Sequence, residues 1–249
     1  MKPLFSFCCL LFALSLPLQA ELPFSAGDRF TYDLHWSFIK VGKAELNFAE
    51  STLPTVDQPL ILASFTVRTS GIADKLFKVR DKIETWIEPS TGRPLLYKKE
   101  QREGKTERDI EVVFDWESMT ASYTKNGETY DPLPITLETR DPLSLIVAIA
   151  GTKFTKDKTH SLAATDGKRL VSIDILRKKD RKLKLEAGKF TAQHFEVATN
   201  ELQGVFEKSP DASIELWLSQ DTPALPLKMK SEVAVGSFYG ILRSYSVKK

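Results

Sequence analysis

Two tryptophans, Trp86 and Trp217, lie where a ligand-binding aromatic side chain is expected. Each alternates out of phase with the aliphatic residues of its own strand pattern, so each indole projects from the opposite face. An amphipathic aromatic there can stack on a sugar ring or line an apolar site. Asp221, at the polar corner after Trp217, can accept hydrogen bonds from ligand hydroxyls, or else cap its own turn. We predict Trp86, Trp217 and Asp221 as ligand-binding residues, the alternative being two structural tryptophans in a sheet covered on both faces.

Paired carboxylates offer a second chemistry, glycoside hydrolysis, which needs two carboxyl groups about 5–9 Å apart across a cleft. Glu84 and Glu88 flank Trp86 on one strand face, and Asp109 and Glu111 alternate on another strand. Charges that alternate along a strand are more typical of a solvated face. A carbohydrate-active hydrolase using such a pair is therefore the alternative function, and we predict no catalytic residue.

Other catalytic and metal-binding arrangements are not indicated by the spacing of the residues that they require. The histidines, His35, His160 and His194, are far apart and lack ligand spacing, so we expect no metal and no cofactor. Ser144 has no flanking glycines, and its position favours a hydroxyl at a helix N-terminus over a hydrolase nucleophile.

The first twenty residues resemble a secretory signal peptide, with one early lysine, an apolar run and a small residue at Ala20. The apolar run is too short for a membrane-spanning anchor. Both cysteines, Cys8 and Cys9, fall in it, so the mature chain would fold without disulfides. We predict a signal peptide over residues 1–20, one β-rich domain over residues 21–249, and a periplasmic or secreted location without a transmembrane anchor.

Charge patterning excludes some partners, because the formal net charge is only +2 and gives no general attraction for nucleic acid. The basic run Arg177–Lys182 could contact acidic lipid headgroups or anionic glycans. It is more typical of a polar hairpin tip that protects strand edges. Peripheral contact with the cell envelope is thus a possible partner interaction.

The elements that position these residues are predominantly β-strands. Strict alternation, as in Arg29–Trp36 with Phe30 and Trp36 on its apolar face, recurs between turn signals such as Asn126-Gly127. We predict an all-β, mainly antiparallel fold, with about a dozen strands in one strongly curved sheet or barrel. On this pattern Trp36 belongs to the core.

One segment, Pro142–Ala150, interrupts the strand pattern. Asp141 is a favourable N-cap, Pro142 suits the first helical position and Gly151 is a natural stop. The segment is apolar almost all round, which indicates burial on every side. A buried strand is the competing interpretation, since isoleucine and valine are β-branched. We predict one short buried helix inside the sheet or across its mouth.

Several short motifs follow one another along the chain in a specific order. They are Gly27–Tyr32, Val41–Ala44, Val79 with Asp81, Pro89–Pro94, Asp141–Ser144, Ala187–Phe190, and Leu216–Asp221 with Pro226. Their order resembles the bacterial exported family catalogued as domain of unknown function 3108, and the resemblance spans nearly all of the chain after residue 20. It implies an exported, β-rich envelope protein and supplies no reaction and no catalytic residues.

Together these patterns favour a non-catalytic binder or carrier of an apolar or glycan ligand. A curled sheet with off-face tryptophans can hold a ligand in its hollow without special residues. A wide aliphatic cavity would support the carrier, whereas two facing carboxylates over an aromatic platform would support the hydrolase.

Overall fold

The computed structural model describes residues 22–198, 213–221, 223–232 and 236–248. Most of these residues form one antiparallel sheet. The elements in chain order are β1 (Arg29–Trp36), β2 (Ile39–Leu53), β3 (Val56–Thr69), α1 (Gly71–Leu76), β4 (Arg80–Ile87), β5 (Pro94–Glu103), β6 (Thr106–Asp115), β7 (Thr120–Lys125), β8 (Glu128–Thr129), β9 (Leu133–Pro134), α2 (Pro142–Gly151), β10 (Thr159–Thr165), β11 (Leu170–Arg177), β12 (Arg181–Leu185), β13 (Gly188–Ala198), β14 (Ser213–Ser219), β15 (Pro226–Glu232) and β16 (Ser237–Ser246).

The sheet has 16 strands, so the prediction of about a dozen was too low. Two of the additional strands, β8 and β9, are two residues long and carry no alternation that a pattern could detect. The strand order is β10-β11-β13-β14-β15-β16-β1-β2-β3-β4-β5-β6-β7-β8, with β12 paired to β13 and β9 paired to β7.

The sheet is not a closed barrel, because no ladder among the described residues joins β10 to β8. A single parallel bridge between Arg140 and Ala164 connects the segment before α2 to the edge strand β10. The Arg140 amide donates to the Ala163 carbonyl at 2.9 Å, and its carbonyl accepts from the Thr165 amide at 2.9 Å. The segment that enters α2 therefore lies against this open edge.

Helix α2 begins as the sequence predicts. Asp141 accepts hydrogen bonds from the amides of Leu143 (2.8 Å) and Ser144 (3.0 Å), while the Ser144 hydroxyl accepts from the Asp141 amide at 3.0 Å. Thr85 of β4 adds a third donor to the Asp141 carboxylate at 2.7 Å. The Asp141 side chain thus completes the capping box and, through Thr85, attaches the start of the helix to β4.

The main core surrounds α2, which supplies Leu143, Leu145, Val147 and Ile149 to a cluster that also contains side chains from at least ten strands. Burial is not uniform around the helix, since Ile146 is only half-buried. The concave side of the sheet is therefore filled by its own helix and side chains. A second, smaller cluster underlies β5, β6 and β7, and consists of Tyr97, Val112, Phe114, Ala121, Tyr123 and Ile135.

Residues 1–20, predicted as a signal peptide, lie outside the described residues. Within the described part of the chain, no helix is long and apolar enough to cross a membrane.

Candidate functional site

The two predicted binding tryptophans project from the outer side of their strands, opposite Leu216 and Ile87, but they are far apart. Trp217 is nevertheless buried and belongs to the main core cluster. Trp217 is in β14 and Trp86 is in β4, with five strands between them. At about 4.8 Å per strand, the separation along the sheet is roughly 29 Å. The structure therefore places them in different surroundings rather than in one groove.

Trp217 is buried, because neighbouring strands cover both sides of its indole. The His194 ring from β13 stacks on it with a centroid distance of 4.6 Å and an interplanar angle of 3°. The Lys228 ammonium from β15 lies 4.7 Å from the indole centroid. The indole faces are thus occupied within the protein, and Trp217 organises its neighbours more than it offers a free stacking surface.

These residues belong to a larger polar and aromatic surface across β13, β14, β15, β16 and β1. Two adjacent rows of directly paired residues form it, and side chains within a row are about 4.5–5.5 Å apart at Cβ. We call these rows the outer-face patch. The first row is His194, Trp217, Lys228, Ile241 and Asp33, and the second is Glu196, Glu215, Lys230, Tyr239 and His35.

A chain of charges fixes the middle of the patch. Glu215 accepts from Lys230 at 2.8 Å and contacts His194 Nε2 at 2.7 Å, and Lys230 also donates to Glu232 at 2.6 Å. Partial burial alone would raise the Glu215 pKa, but the hydrogen bonds from Lys230 and His194 outweigh it, so the pKa is lowered. The hydrogen bonds to Glu215 and Glu232 raise the Lys230 pKa. Glu215 and Lys230 are therefore both charged at neutral pH.

Lys228 differs from Lys230 in having no carboxylate partner. Its ammonium lies between two aromatic rings, 4.7 Å from the Trp217 centroid and 4.9 Å from that of Tyr239. Among the described residues, no carboxylate lies within ion-pair distance of it. Partial burial lowers the Lys228 pKa. The patch thus presents one desolvated cation that an anionic group could neutralise.

A cleft of about 270 Å³ adjoins the patch. Arg243 bridges its two walls, lying 3.3 Å from Glu186 of the β12–β13 turn and 3.7 Å from Asp33 of β1. Ile241 belongs to both the cleft and the patch, since it pairs directly with Lys228. Four of the eight residues that line this cleft are charged: it is lined by Asp33, His35, Lys184, Leu185, Glu186, Ile241, Leu242 and Arg243.

Trp86 has more open surroundings than Trp217. Its indole nitrogen donates to the Ser51 hydroxyl at 3.0 Å, and the side chain is half-buried. Directly paired residues across β3, β5 and β6 extend an apolar row from it, namely Leu62, Leu96 and the exposed Val113. Trp86 is therefore part of an apolar strip, and it lines neither this cleft nor a second one beside Tyr123 and Lys168.

Asp221 is exposed in the loop after β14, and among the described residues only its amide contributes a contact, to the Ser219 hydroxyl at 3.3 Å. Ser219 organises the loop instead. Its buried hydroxyl accepts from the Leu225 amide at 2.9 Å, and its own amide donates to the Leu225 carbonyl at 2.9 Å. The Asp221 carboxylate is thus left to solvent or to a ligand.

The carboxylate pairs considered for hydrolysis are separated or neutralised. Glu84 and Glu88 are four residues apart on an extended strand, about 13 Å. Glu84 pairs with Lys82, and Glu88 accepts from Gln58 and Thr91.

Asp109 is exposed and Glu111 half-buried, and they pair with Arg102 (2.6 Å) and Lys98 (2.8 Å). Neither acid lines a described cleft.

Sequence reasoning missed a carboxyl group with a strongly shifted pKa. Burial, together with the neighbouring Glu103, raises the pKa of Asp81 to about 6, against the opposing hydrogen bond from the Arg102 amide. Asp81 lies on the same side of β4 as Thr85, towards the core. The raised pKa could not be predicted from the alternation of Asp81 with charged residues, because Asp81 and Glu103 come from strands that only the fold brings together.

Sequence reasoning also treated the histidines as isolated. Two of them, His35 and His194, occur in the outer-face patch, about four strand spacings apart. Among the described residues, no group of three or more His, Cys, Asp or Glu side chains could hold a metal ion.

Comparison with solved structures supports the architecture. A β-barrel-like protein of the domain of unknown function DUF1849 from Brucella abortus has a TM-score of 0.61 and 12% identity, over 91% of this chain and 99% of that chain. A Bacteroides fragilis protein, proposed to be exported and described as having a YmcC-like fold, has a TM-score of 0.34 and 9% identity, over 91% and 98%. A Parabacteroides distasonis protein, proposed to be a lipoprotein, has a TM-score of 0.36 and 8% identity, over 91% and 99%. At these identities the first shows a shared fold, and the other two carry no further argument.

Sequence comparison gives a family without a known activity. No curated protein matches the chain. The family model described as a protein of unknown function, DUF3108, matches residues 31–243, which is most of the chain and confirms the resemblance seen in its motifs. The chain therefore belongs to the DUF3108 family of proteins of unknown function.

Proposed function

We propose that this protein is a non-catalytic binder of a glycan that carries an acidic group, recognised at the outer-face patch and its adjoining cleft. The observation that carries the proposal is Lys228, a half-buried ammonium between two aromatic rings that lacks a carboxylate partner among the described residues. A bound carboxylate or sulfate would supply the missing countercharge, and the low local dielectric would strengthen the contact.

The cleft suits the remainder of such a ligand. A volume of about 270 Å³ is near the lower limit of small-molecule pockets, which favours a single sugar unit over a large apolar molecule. Asp33 and Glu186 can accept hydrogen bonds from hydroxyls, while Lys184 and Arg243 can donate to ring and acid oxygens. The filled concave side argues against carriage of an apolar ligand in the hollow of the sheet.

Within this proposal, the three predicted residues have different roles. Trp217 positions Lys228 and His194. Asp221 and Trp86 are secondary contacts for a longer glycan, reached along the loop after β14 and on the apolar strip respectively.

The alternative, a carbohydrate-active hydrolase, requires a carboxylate pair across a cleft. The pairs Glu84–Glu88 and Asp109–Glu111 are each engaged by neighbouring side chains, as described above. The binder is therefore the better supported function.

Calorimetric titration with an acidic oligosaccharide, a polygalacturonate fragment, tests the proposal against a neutral maltooligosaccharide. Lys228→Met keeps the aliphatic packing between the two rings and removes the charge. We expect the acidic sugar to bind more tightly than the neutral one, and Lys228→Met to lose about tenfold to a hundredfold in affinity, the value of a charge-assisted hydrogen bond.

Lys168→Met is the matched control, because the Lys168 ammonium also lies over an aromatic ring, that of Tyr123 at 5.8 Å, beside a different cleft. It should bind like the wild type. Equal binding of both sugars, or an unchanged affinity in Lys228→Met, would refute the proposed site.

We also propose that the protein is exported after cleavage near Ala20 and acts in the periplasm or beyond. The motif pattern of residues 1–20 supports this. Mass spectrometry of the mature N-terminus should find a start close to Glu21, and a retained Met1 would contradict it.

A further inference from the structure

Among the described residues, seven large apolar side chains are exposed at one end of the sheet, which we call the apolar end. Strand β1 stops there, β2 and β16 begin there, and α1 connects β3 to β4 beside the start of β2. Soluble monomers rarely expose so many large apolar groups together. The members are Trp36, Phe38, Ile39, Ile72, Leu76, Phe77 and Phe238.

The short helix α1 has its polar side turned inward and its apolar side turned outward. Ile72 and Leu76, four residues apart on one face, are 77% and 81% exposed. Asp74 points back towards the sheet, where it accepts from Thr69 at 2.6 Å and from Arg80 at 2.7 Å. The hydrogen bond from Arg80, followed by that from Thr69, lowers the Asp74 pKa to about 2. A helix fixed in this orientation presents its apolar face to whatever lies beyond the end of the sheet.

Other members of the apolar end are also held in place. The Trp36 and Phe238 rings stack with a centroid distance of 6.4 Å. The Phe77 ring lies so close to Gly104 that a Cβ there would be 2.8 Å from Cε2. The exposed rings are therefore preorganised, whereas Phe38, at the β1–β2 turn, projects fully into solvent.

The two segments that carry every member except Phe238 are strongly basic, whereas Glu103 and Glu232 pair with Val79 and Ser237 at their borders. The two segments 36–43 and 68–80 contain six basic residues and a single acidic one, Asp74, in a chain whose net charge is only +2. Asp74 pairs with Arg80, and Lys40 pairs with Asp33. The other four basic residues are exposed and have no ion pair among the described residues: Lys43, Arg68, Lys75 and Lys78.

We propose that the apolar end docks on an anionic lipid bilayer, with Phe38, Ile72 and Leu76 inserted at the headgroup boundary and the four free basic residues on lipid headgroups. Apolar tips ringed by lysine and arginine are the combination that peripheral membrane proteins require. The proposal is independent of the glycan site, which lies on the outer face of the sheet.

The basic run Arg177–Lys182, the other candidate for envelope contact, is less suited to this role. Arg177 donates to the Phe154 carbonyl and to Asp180, and Lys178 pairs with Glu196. Lys179, Arg181 and Lys182 are exposed without an ion pair among the described residues, but no exposed apolar residue accompanies them in this run.

Co-sedimentation with lipid vesicles tests the proposal. The full mature chain should bind vesicles of phosphatidylcholine containing about one third phosphatidylglycerol, and bind pure phosphatidylcholine more weakly. The double variant Ile72→Ser/Leu76→Ser should lose at least about tenfold in partitioning, since two inserted apolar groups are removed. Its thermal unfolding should be unchanged, because both side chains are exposed.

Two controls separate the apolar from the electrostatic contribution to vesicle binding. Leu137→Ser removes an exposed leucine, 50% accessible, from another part of the chain and should bind vesicles like the wild type. Lys75→Gln/Lys78→Gln should reduce the preference for anionic vesicles while leaving residual binding.

The proposal is overturned if the wild type ignores anionic vesicles, or if Ile72→Ser/Leu76→Ser sediments with them unchanged. Concentration-dependent dimerisation without vesicle binding, abolished in the same double variant, would also overturn it and would assign the apolar end to contact between two copies.

Discussion

Replacing Asp141 with alanine should reveal how the helix is attached to the sheet. The carboxylate is completely buried and accepts hydrogen bonds from the amides of Leu143 and Ser144 and from the Thr85 hydroxyl. Asp141→Ala therefore removes the N-cap of α2 and, in the same step, the connection between the helix and β4.

The magnitude follows from these groups. Losing an N-cap costs about 1–2 kcal/mol, and leaving the buried Thr85 hydroxyl without a partner costs about 1–3 kcal/mol. Removal of a buried charged group recovers part of this cost. We expect Asp141→Ala to lower the free energy of unfolding by about 2–4 kcal/mol.

Asp141→Asn is the matched control, because its amide oxygen still accepts from the two helix amides and its nitrogen can donate to Thr85. Burial raises the Asp141 pKa, against the opposing hydrogen bonds from Ser144 and Thr85. A raised pKa in the folded state means that stability falls as the pH rises through that pKa. The stability of Asp141→Asn should therefore be close to that of the wild type at low pH, and it should not show this decrease as the pH rises.

Urea unfolding followed by tryptophan fluorescence gives the required free energies. A double-mutant cycle with Thr85→Val isolates the hydroxyl, since Thr85→Val in the Asp141→Ala background should restore part of the stability. If Asp141→Ala unfolds like the wild type, or if Asp141→Asn is as damaging as Asp141→Ala, the proposed attachment of α2 is wrong.

Three further perturbations test packing and charge. Val147→Asp should destabilise by several kcal/mol and Ile146→Asp by clearly less, because only Val147 is fully buried; equal losses in urea unfolding would contradict this. Gly42→Ala should cost about 1–3 kcal/mol in thermal unfolding, since its Cβ would lie 2.2 Å from the Arg68 carbonyl oxygen. As the pH rises through the Asp81 pKa of about 6, the wild type should lose stability relative to Asp81→Asn, by about 1 kcal/mol after allowance for solvent screening. A constant difference in the free energy of unfolding between the two proteins across that range would exclude the pKa shift.

Local features of the fold were predictable because their causes are local. Asp141, Pro142 and Ser144 lie within one helical turn, so the cap and the start of α2 can be recognised from the sequence. Asn126 and Gly127 adopt the positive φ angles, 49° and 84°, that their two-residue hairpin requires. Strand alternation likewise assigned Trp86 to the face opposite Thr85 and Ile87.

Residues near strand ends were less predictable. Trp36 continues the apolar alternation of β1 and was predicted in the core, yet it is 40% exposed and stacks on Phe238. Alternation specifies the face of a strand but not where the core ends along it, so this prediction was wrong.

By itself, the sequence determined the all-β class, the short helix with its cap and the family. Tertiary structure alone decided how many strands share one sheet, that the sheet stays open at α2, and which residues meet. His194, Trp217 and Lys228 come from three strands, and their stack depends on ladder register. Trp86 and Trp217 have the same sequence signature but have five strands between them. The physical reason is that periodicity records the direction of a side chain, whereas its neighbours depend on non-local strand pairing.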